Sequence, residues 1–216
     1  CFQLDEGSNL SQIVRESRAL ESAKRLGMVL EHGLDERRYF YVMPYVPGEN
    51  LSRVTQKMHA GSGADGLGNK QIQQALGYVA DLLVTLDRFH AAGLWHKDVK
   101  PDNIIVREGR AHLVDLGLVT PLGSAMTLTT HGTEYFRDPE LVRQALRGAK
   151  VHEVDGARFD LYAAGAVLYS IVEDSFPAHG SLSSISKRCP DSLQWIVRRA
   201  MADLDSRYRD AAEMLA

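Results

Sequence analysis

The chain has little cysteine: two thiols, Cys1 and Cys189, stand far apart in 216 residues. That excludes a disulfide framework and a cysteine-built metal site, and it suits a reducing cytoplasm. Charge of one sign is also lacking. With 25 basic and 28 acidic side chains the formal net charge is −3, which gives no general pull toward nucleic acid or anionic lipid. Long apolar runs are missing too. The strongest, Leu161 to Val172, is shorter than the roughly 20 residues of a membrane span, and its alanines and glycine suit a closely packed core helix. No initiator Met and no cationic segment followed by an apolar one is present, so no targeting signal is visible and the start at Cys1 suggests a fragment. What the chain does have is 44% apolar content. That supports a globular unit with a real core, one domain or one large lobe plus part of another.

Chemistry concentrates in His96-Lys97-Asp98-Val99-Lys100-Pro101-Asp102-Asn103. Asp98 can accept a proton from an attacking hydroxyl, Lys100 can neutralise a phosphoryl oxygen, and Asn103 supplies a hard amide oxygen for Mg²⁺. Asp115-Leu116-Gly117, at the end of the apolar run Ala111 to Val114, offers a second oxygen ligand. The arrangement suits a metal–phosphate complex; its bland alternative is a charged surface turn.

These residues resemble the catalytic and magnesium loops of the eukaryotic-type (Hanks-type) serine/threonine protein kinases, and the ending Arg207 to Met214 looks like that of the bacterial members. The resemblance implies an α+β, two-lobe fold. Residues 1–43 would be a partial N-terminal lobe, 44–50 the hinge, and 51–216 the C-terminal lobe with the catalytic loop and activation segment. It implies that Asp98 is the catalytic base and Lys100 the phosphate-binding lysine, with Asn103 and Asp115 as the Mg²⁺ ligands. ATP and Mg²⁺ are the implied cofactors, and a protein Ser/Thr hydroxyl the implied acceptor. Neither nucleic acid nor a membrane span is expected.

Read in order, Leu10, Ile13, Val14 and Leu20 lie on one helical face, predicting a helix over about 9–23 capped by Ser8 or Asn9. By resemblance this is the mobile small-lobe helix, and Glu16 its lysine-pairing glutamate. The partner lysine and the Gly-rich loop over the phosphates are absent, since no Lys precedes Lys24. The chain as it stands is therefore expected to be inactive alone. Gly61-Ser62-Gly63-Ala64-Asp65-Gly66 matches the spacing of such a loop but follows no strand, and reads as a connector. Met28 to Leu30 and Tyr39 to Met43 read as a hairpin joined by the polar 34–38. Met43-Pro44-Tyr45-Val46-Pro47-Gly48 resembles the hinge, with Met43 as gatekeeper, Pro44 and Val46 facing adenine, Asn50 near the ribose and Ile105 beneath the ring. Ile72 to Leu86 mark a long helix stopped by Gly93, and 103–106 with 111–114 a hairpin about Glu108-Gly109.

Downstream, the activation segment would run from Asp115 to Glu140, with hydroxyls at Thr127, Thr129 and Thr130 in a polar loop near Lys97. His96 is read as structural, packing in a column with Leu116. Lys97 stands where the family has arginine, which weakens dependence on a phosphorylated loop. Gly132 to Phe136 and Asp138-Pro139-Glu140 resemble the peptide platform, with Thr133 tying Asp98 and Lys100 to it. Glu140 is expected to pair with Arg207, and Asp160 to accept hydrogen bonds from the catalytic-loop backbone. Asp191 or Ser192 would cap a helix through Leu193 to Met201. The function expected is transfer of the ATP γ-phosphoryl group to protein Ser/Thr. The alternatives are a pseudokinase serving as a nucleotide-binding or scaffold module and, last, a small-molecule phosphotransferase.

Overall fold

Seven helices and three small antiparallel sheets are present among the described residues of the computed structural model, which are 2–3, 10–35, 38–63, 65–116, 118–130, 134–177 and 185–216. Helix α1 (Leu10–Arg25) ends as expected of a chain reaching glycine. Gly27 takes a positive φ of 75°, and the Met28 amide reaches back to the Ala23 carbonyl at 3.0 Å. A short β1 (Phe2–Gln3) pairs with β3 (Arg38–Val42), and β3 pairs with β2 (Glu31–Asp35) in register His32 opposite Tyr41.

The hairpin is therefore real, but its first strand begins after Met28 to Leu30 rather than on it. Val29 is buried in an apolar cluster with Ala19, Leu20 and Ala23 of α1. The Leu30 amide only opens the ladder, donating to the Val42 carbonyl at 2.8 Å. The apolar run serves packing against the helix, and the more polar Glu31–Asp35 carries the pairing. The proposed caps Ser8 and Asn9 lie outside the described residues.

The remaining chain is mainly helical. β4 (Glu49–Asn50) leads into α2 (Leu51–Ala60), and α3 (Asn69–Ala91) stops at Gly93, whose φ is 71°. The described residues of 61–68 between these helices form no strand, in keeping with a connector. β5 (Leu94–Trp95) pairs with β8 (Thr120–Pro121). β6 (Ile104–Arg107) and β7 (Arg110–Leu113) form the hairpin read from Glu108-Gly109, both of which take positive φ, 50° and 77°. α4 (Pro139–Leu146), α5 (Gly156–Glu173), α6 (Asp191–Ala200) and α7 (Ala211–Leu215) complete the lobe.

α5 is buried on every side from Phe159 to Val172, so its small residues set how closely neighbours approach. A Cβ on Gly165 would stand 2.5 Å from the Ala200 Cβ of α6. α6 begins one residue earlier in role than expected: Pro190 occupies the cap position and its carbonyl accepts the Leu193 and Gln194 amides at 3.0 and 3.2 Å. Asp191 is left in the first turn, where its charge suits the helix dipole.

Candidate active site

The helix α3 delivers the chain into the catalytic loop, and a carboxylate from the middle of the lobe shapes that loop. Asp160, 1% exposed near the start of α5, accepts the His96 amide on Oδ2 and the Lys97 amide on Oδ1, both at 3.0 Å. This anchor holds Lys97 at a φ of 70°, a conformation a non-glycine residue keeps only when its surroundings impose it. His90, in the last turn of α3, adds its Nε2 to Asp160 Oδ2 at 2.9 Å. Sequence reasoning missed His90. A signal existed: Val79, Leu83, Leu86 and His90 repeat at 4, 3 and 4 residues, which puts a histidine on the buried stripe, where it needs a polar partner.

At the tip of the loop, Asn103 and Lys100 converge on Asp98. The Asn103 Nδ2 donates to both the backbone oxygen and Oδ2 of Asp98 at 2.9 Å, and the Lys100 Nζ lies 2.8 Å from the same Oδ2. With its amide nitrogen so committed, buried Asn103 has its carbonyl oxygen as the atom for a hard cation, the ligand chemistry read from sequence. The Val114 amide donates to the backbone carbonyl of Asn103 at 2.8 Å. Asp115 thus follows directly on a residue bonded to Asn103, turned out of β7 by a φ of 64°. Tyr41 of β3 approaches Asp115 from the small lobe. Burial, then the Asp115 carboxylate, raise its phenol above the ordinary value.

His96 is fully buried, and burial depresses its imidazole pKa against the opposing pull of the Asp160, Asp98 and Asp115 carboxylates. Its ring meets Phe89 edge-on at 5.6 Å, and Phe89 shares an apolar cluster with Leu116 and with Ala19, Leu20 and Ala23 of α1. The expected column therefore runs through Phe89 and joins α1 to the catalytic loop.

At the hinge, Met43 and Val46 are half-buried and Pro44 exposed. A Cβ on Gly48 would stand 2.3 Å from the Val106 carbonyl oxygen, so only glycine lets the hinge lie on β6. Ile104 is buried in the core while Ile105 alternates to the other face and is half-buried. Asn50 pairs with Ile105 in the β4–β6 ladder. Its side chain caps α2, accepting the Arg53 amide at 3.0 Å, and its amide nitrogen lies 3.4 Å from Asp102 Oδ1, which also takes the Ser52 hydroxyl at 2.9 Å. Expected near a ribose, Asn50 acts in this structure as a brace between hinge, α2 and catalytic loop. The Glu16 side chain, Gly117, Gly132 and Thr133 lie outside the described residues.

Two expectations need correction. The middle of the activation segment is docked rather than simply a polar loop. Leu128, 3% exposed, packs with Trp95, Leu141, Val151 and Phe159, while the Lys97 Nζ donates to the Thr129 hydroxyl at 3.2 Å. Burial pushes the Lys97 ammonium below its usual range, and it sits 5.2 Å from the Trp95 ring centre. The second correction concerns Arg207, whose buried partner is Asp138 at 2.6 Å, and not Glu140. Pro139 starts α4, so Asp138 becomes its cap, with Oδ1 accepting the Glu140 amide at 2.8 Å and Oδ2 turned inward. Glu140, a turn further out, pairs with Arg143 at 2.6 Å. The remaining Arg207 donors reach the Ala202 and Arg158 carbonyls.

The family model described as the protein kinase domain matches residues 3–213. The chain is 24% identical to a probable serine/threonine-protein kinase PknB of Lactococcus lactis, over 95% of this chain and 34% of that protein. It is 30% identical to a probable serine/threonine-protein kinase SCO3848 of Streptomyces coelicolor, over 81% of this chain and 27% of that protein. With CBL-interacting protein kinase 5 of Oryza sativa it shares 28% identity, over 90% of this chain and 42% of the relative. The chain thus spans well under half the length of these relatives. Matched by that family model over nearly all its length, the chain belongs to the protein kinase family.

Proposed function

We propose that the protein carrying this chain transfers the γ-phosphoryl group of ATP to Ser and Thr hydroxyls of other proteins. One observation carries the reading most directly: the Asp98 carboxylate held between the Asn103 amide and the Lys100 ammonium, on a loop whose backbone Asp160 anchors. In this reading the acceptor hydroxyl gives its proton to Asp98 as its oxygen bonds to the γ-phosphorus, and the bond to the ADP oxygen breaks. Lys100 neutralises charge on the transferring group, and Thr133 ties the base to the peptide platform. Asn103 and Asp115 would hold Mg²⁺, a hard cation that neutralises the phosphate oxygens and accepts oxygen ligands of this kind. Met43, Pro44 and Val46 would border the adenine, with Ile105 beneath it, Asn50 on the ribose side and Glu16 facing the phosphate-clamping lysine. Most of the acceleration is positioning and charge stabilisation. A reducing cytoplasm is the compartment we propose.

The test is Asp98→Asn in the full-length protein, assayed with labelled ATP and a Ser/Thr peptide mixture. A general base contributes about 10²–10⁴ in rate, so turnover should fall by that factor. Undiminished transfer would refute the assignment, and Mg²⁺-dependent ATP binding without any transfer by the parent protein would support a pseudokinase instead.

A further inference from the structure

The Tyr41 hydroxyl is a polar group with no part in the chemistry described above. Tyr41 stands on β3 opposite His32, and since strand residues alternate in side, its neighbour Val42 is exposed while Tyr41 is half-buried. The buried side faces α1. His32 Nε2 lies 3.1 Å from the Glu21 carboxylate of that helix, and the Tyr41 ring packs on the cluster that includes Ala19, Leu20, Ala23, Phe89 and Leu116. A phenylalanine ring would pack there as well, so packing leaves the hydroxyl unexplained.

That hydroxyl is hydrogen-bonded to the Asp115 carboxylate and to the Leu116 backbone. A carboxylate offers only lone pairs, so the phenol donates to Asp115, while its oxygen accepts the Leu116 amide. The two directions are thereby fixed. Burial and the carboxylate both raise the phenol pKa, which keeps the donor proton in place at neutral pH.

Asp115 is a residue that needs holding. It stands at φ 64°, a left-handed conformation that costs a non-glycine residue energy. The Val114 amide, one residue earlier, is tied to the Asn103 backbone, and the Asn103 Nδ2 is tied to Asp98. Those bonds set the backbone around the metal ligands read from sequence, whereas the phenol acts on the Asp115 side chain itself. Mg²⁺ demands near-octahedral oxygen geometry at about 2 Å, so a carboxylate that swings loses affinity steeply. A bond from Tyr41 restricts that swing and still leaves the carboxylate lone pairs for a cation.

We propose that Tyr41 is a positioning residue for the metal site: its phenol, carried on a small-lobe strand, holds the Asp115 carboxylate in the orientation that binds the Mg²⁺ of the nucleotide complex. The proposal rests on the kinase reading, in which Asp115 is a metal ligand. It deepens that reading by giving the small lobe a grip on the cation through a side chain that does not touch it.

The test is Tyr41→Phe in the full-length protein, which keeps the ring and its packing and removes only the hydroxyl. Binding of a fluorescent ATP analogue is titrated with Mg²⁺ and measured again in EDTA. The Mg²⁺ concentration at half-maximal enhancement of binding should rise about tenfold, as expected when a hydrogen bond that orients a metal ligand is lost. Binding in EDTA should not change. In the protein free of metal and nucleotide, hydrogen exchange at the Leu116 amide should quicken, because its acceptor is gone. An Mg²⁺ midpoint that stays or falls overturns the proposal, as does equal weakening with and without the metal, which a merely structural role would give. Phosphoryl transfer by the parent protein is assayed separately. A parent that transfers phosphate while the two midpoints agree keeps the kinase reading and removes the role of Tyr41. A parent that never transfers it counts against the kinase reading, and the two midpoints then still decide the role of Tyr41.

Discussion

Asp138 and Glu140 are two carboxylates two residues apart, and substituting each in turn separates the buried pair from the surface one. Asp138→Asn is the informative change. Asparagine caps a helix as well as aspartate does, so the cap of α4 survives and only the charge facing Arg207 is removed. Both side chains are almost fully enclosed, at 3% and 1% exposure, and 2.6 Å apart. Removing one partner leaves a buried guanidinium without its anion, which costs about 3–5 kcal/mol. The loss should lie near the lower end, because Arg207 keeps its bonds to the Ala202 and Arg158 carbonyls and its place 5.2 Å from the Tyr162 ring centre. Glu140→Gln removes a pair with Arg143 within one helix, where the arginine is 56% exposed, and should cost no more than about 0.5 kcal/mol.

Urea unfolding followed by the fluorescence of Trp95 and Trp195 measures both. With a slope of about 2–3 kcal/mol/M, Asp138→Asn should lower the midpoint by about 1 M and Glu140→Gln should barely move it. Equal effects, or a larger one at Glu140, would refute the pairing. The pH dependence adds a second check. Burial raises the Asp138 carboxyl above its ordinary value, with Arg207 opposing. A raised value means the folded chain holds that proton more tightly, so its contribution favours the fold below the ordinary pKa and is lost as pH rises through the raised one. The parent's stability should therefore slip as pH rises through that raised value, and the Asp138→Asn variant, with no proton to lose at this position, should lack that component of the pH dependence.

Two further changes test how the lobe is assembled. Leu128→Ala should cost about 2–5 kcal/mol, since a fully packed anchor is replaced by a cavity, and limited proteolysis within 118–130 should quicken; an unchanged cleavage rate would show that the segment is not held by this residue. Gly165→Ala places a methyl 2.5 Å from the Ala200 Cβ, adding about 1–3 kcal/mol of overpacking against the roughly 1 kcal/mol that alanine gains over glycine in a helix. The melting temperature should fall by a few degrees, and a rise would mean that α5 and α6 are free to separate.

Features whose cause is local were legible from the residues alone. The turn at Glu108-Gly109 and the stop at Gly93 follow from backbone conformations that glycine adopts readily. The stripe Ile72 to Leu86 follows from helical period. The Asp98, Lys100 and Asn103 cluster was legible for the same reason: the six residues of a tight loop cannot place these side chains far apart. Asp160 was reached through resemblance, and its two amide contacts agree with that expectation.

What tertiary structure decided were choices between chemically equal neighbours. Aspartate or glutamate for Arg207 depended on Pro139 starting α4 and on a helix tail some 70 residues away lying against that cap. Whether Met28 to Leu30 pairs or packs depended on α1 lying over Val29, and the brace from Asn50 to Asp102 depended on where the catalytic loop came to rest. Leu128 and His90 acquired their roles from Trp95 and Asp160, contacts between distant segments. Short-range sterics and periodicity write the elements and the reactive cluster into the residue order, whereas the partner of a buried charge is set only when remote segments meet and compete to satisfy it.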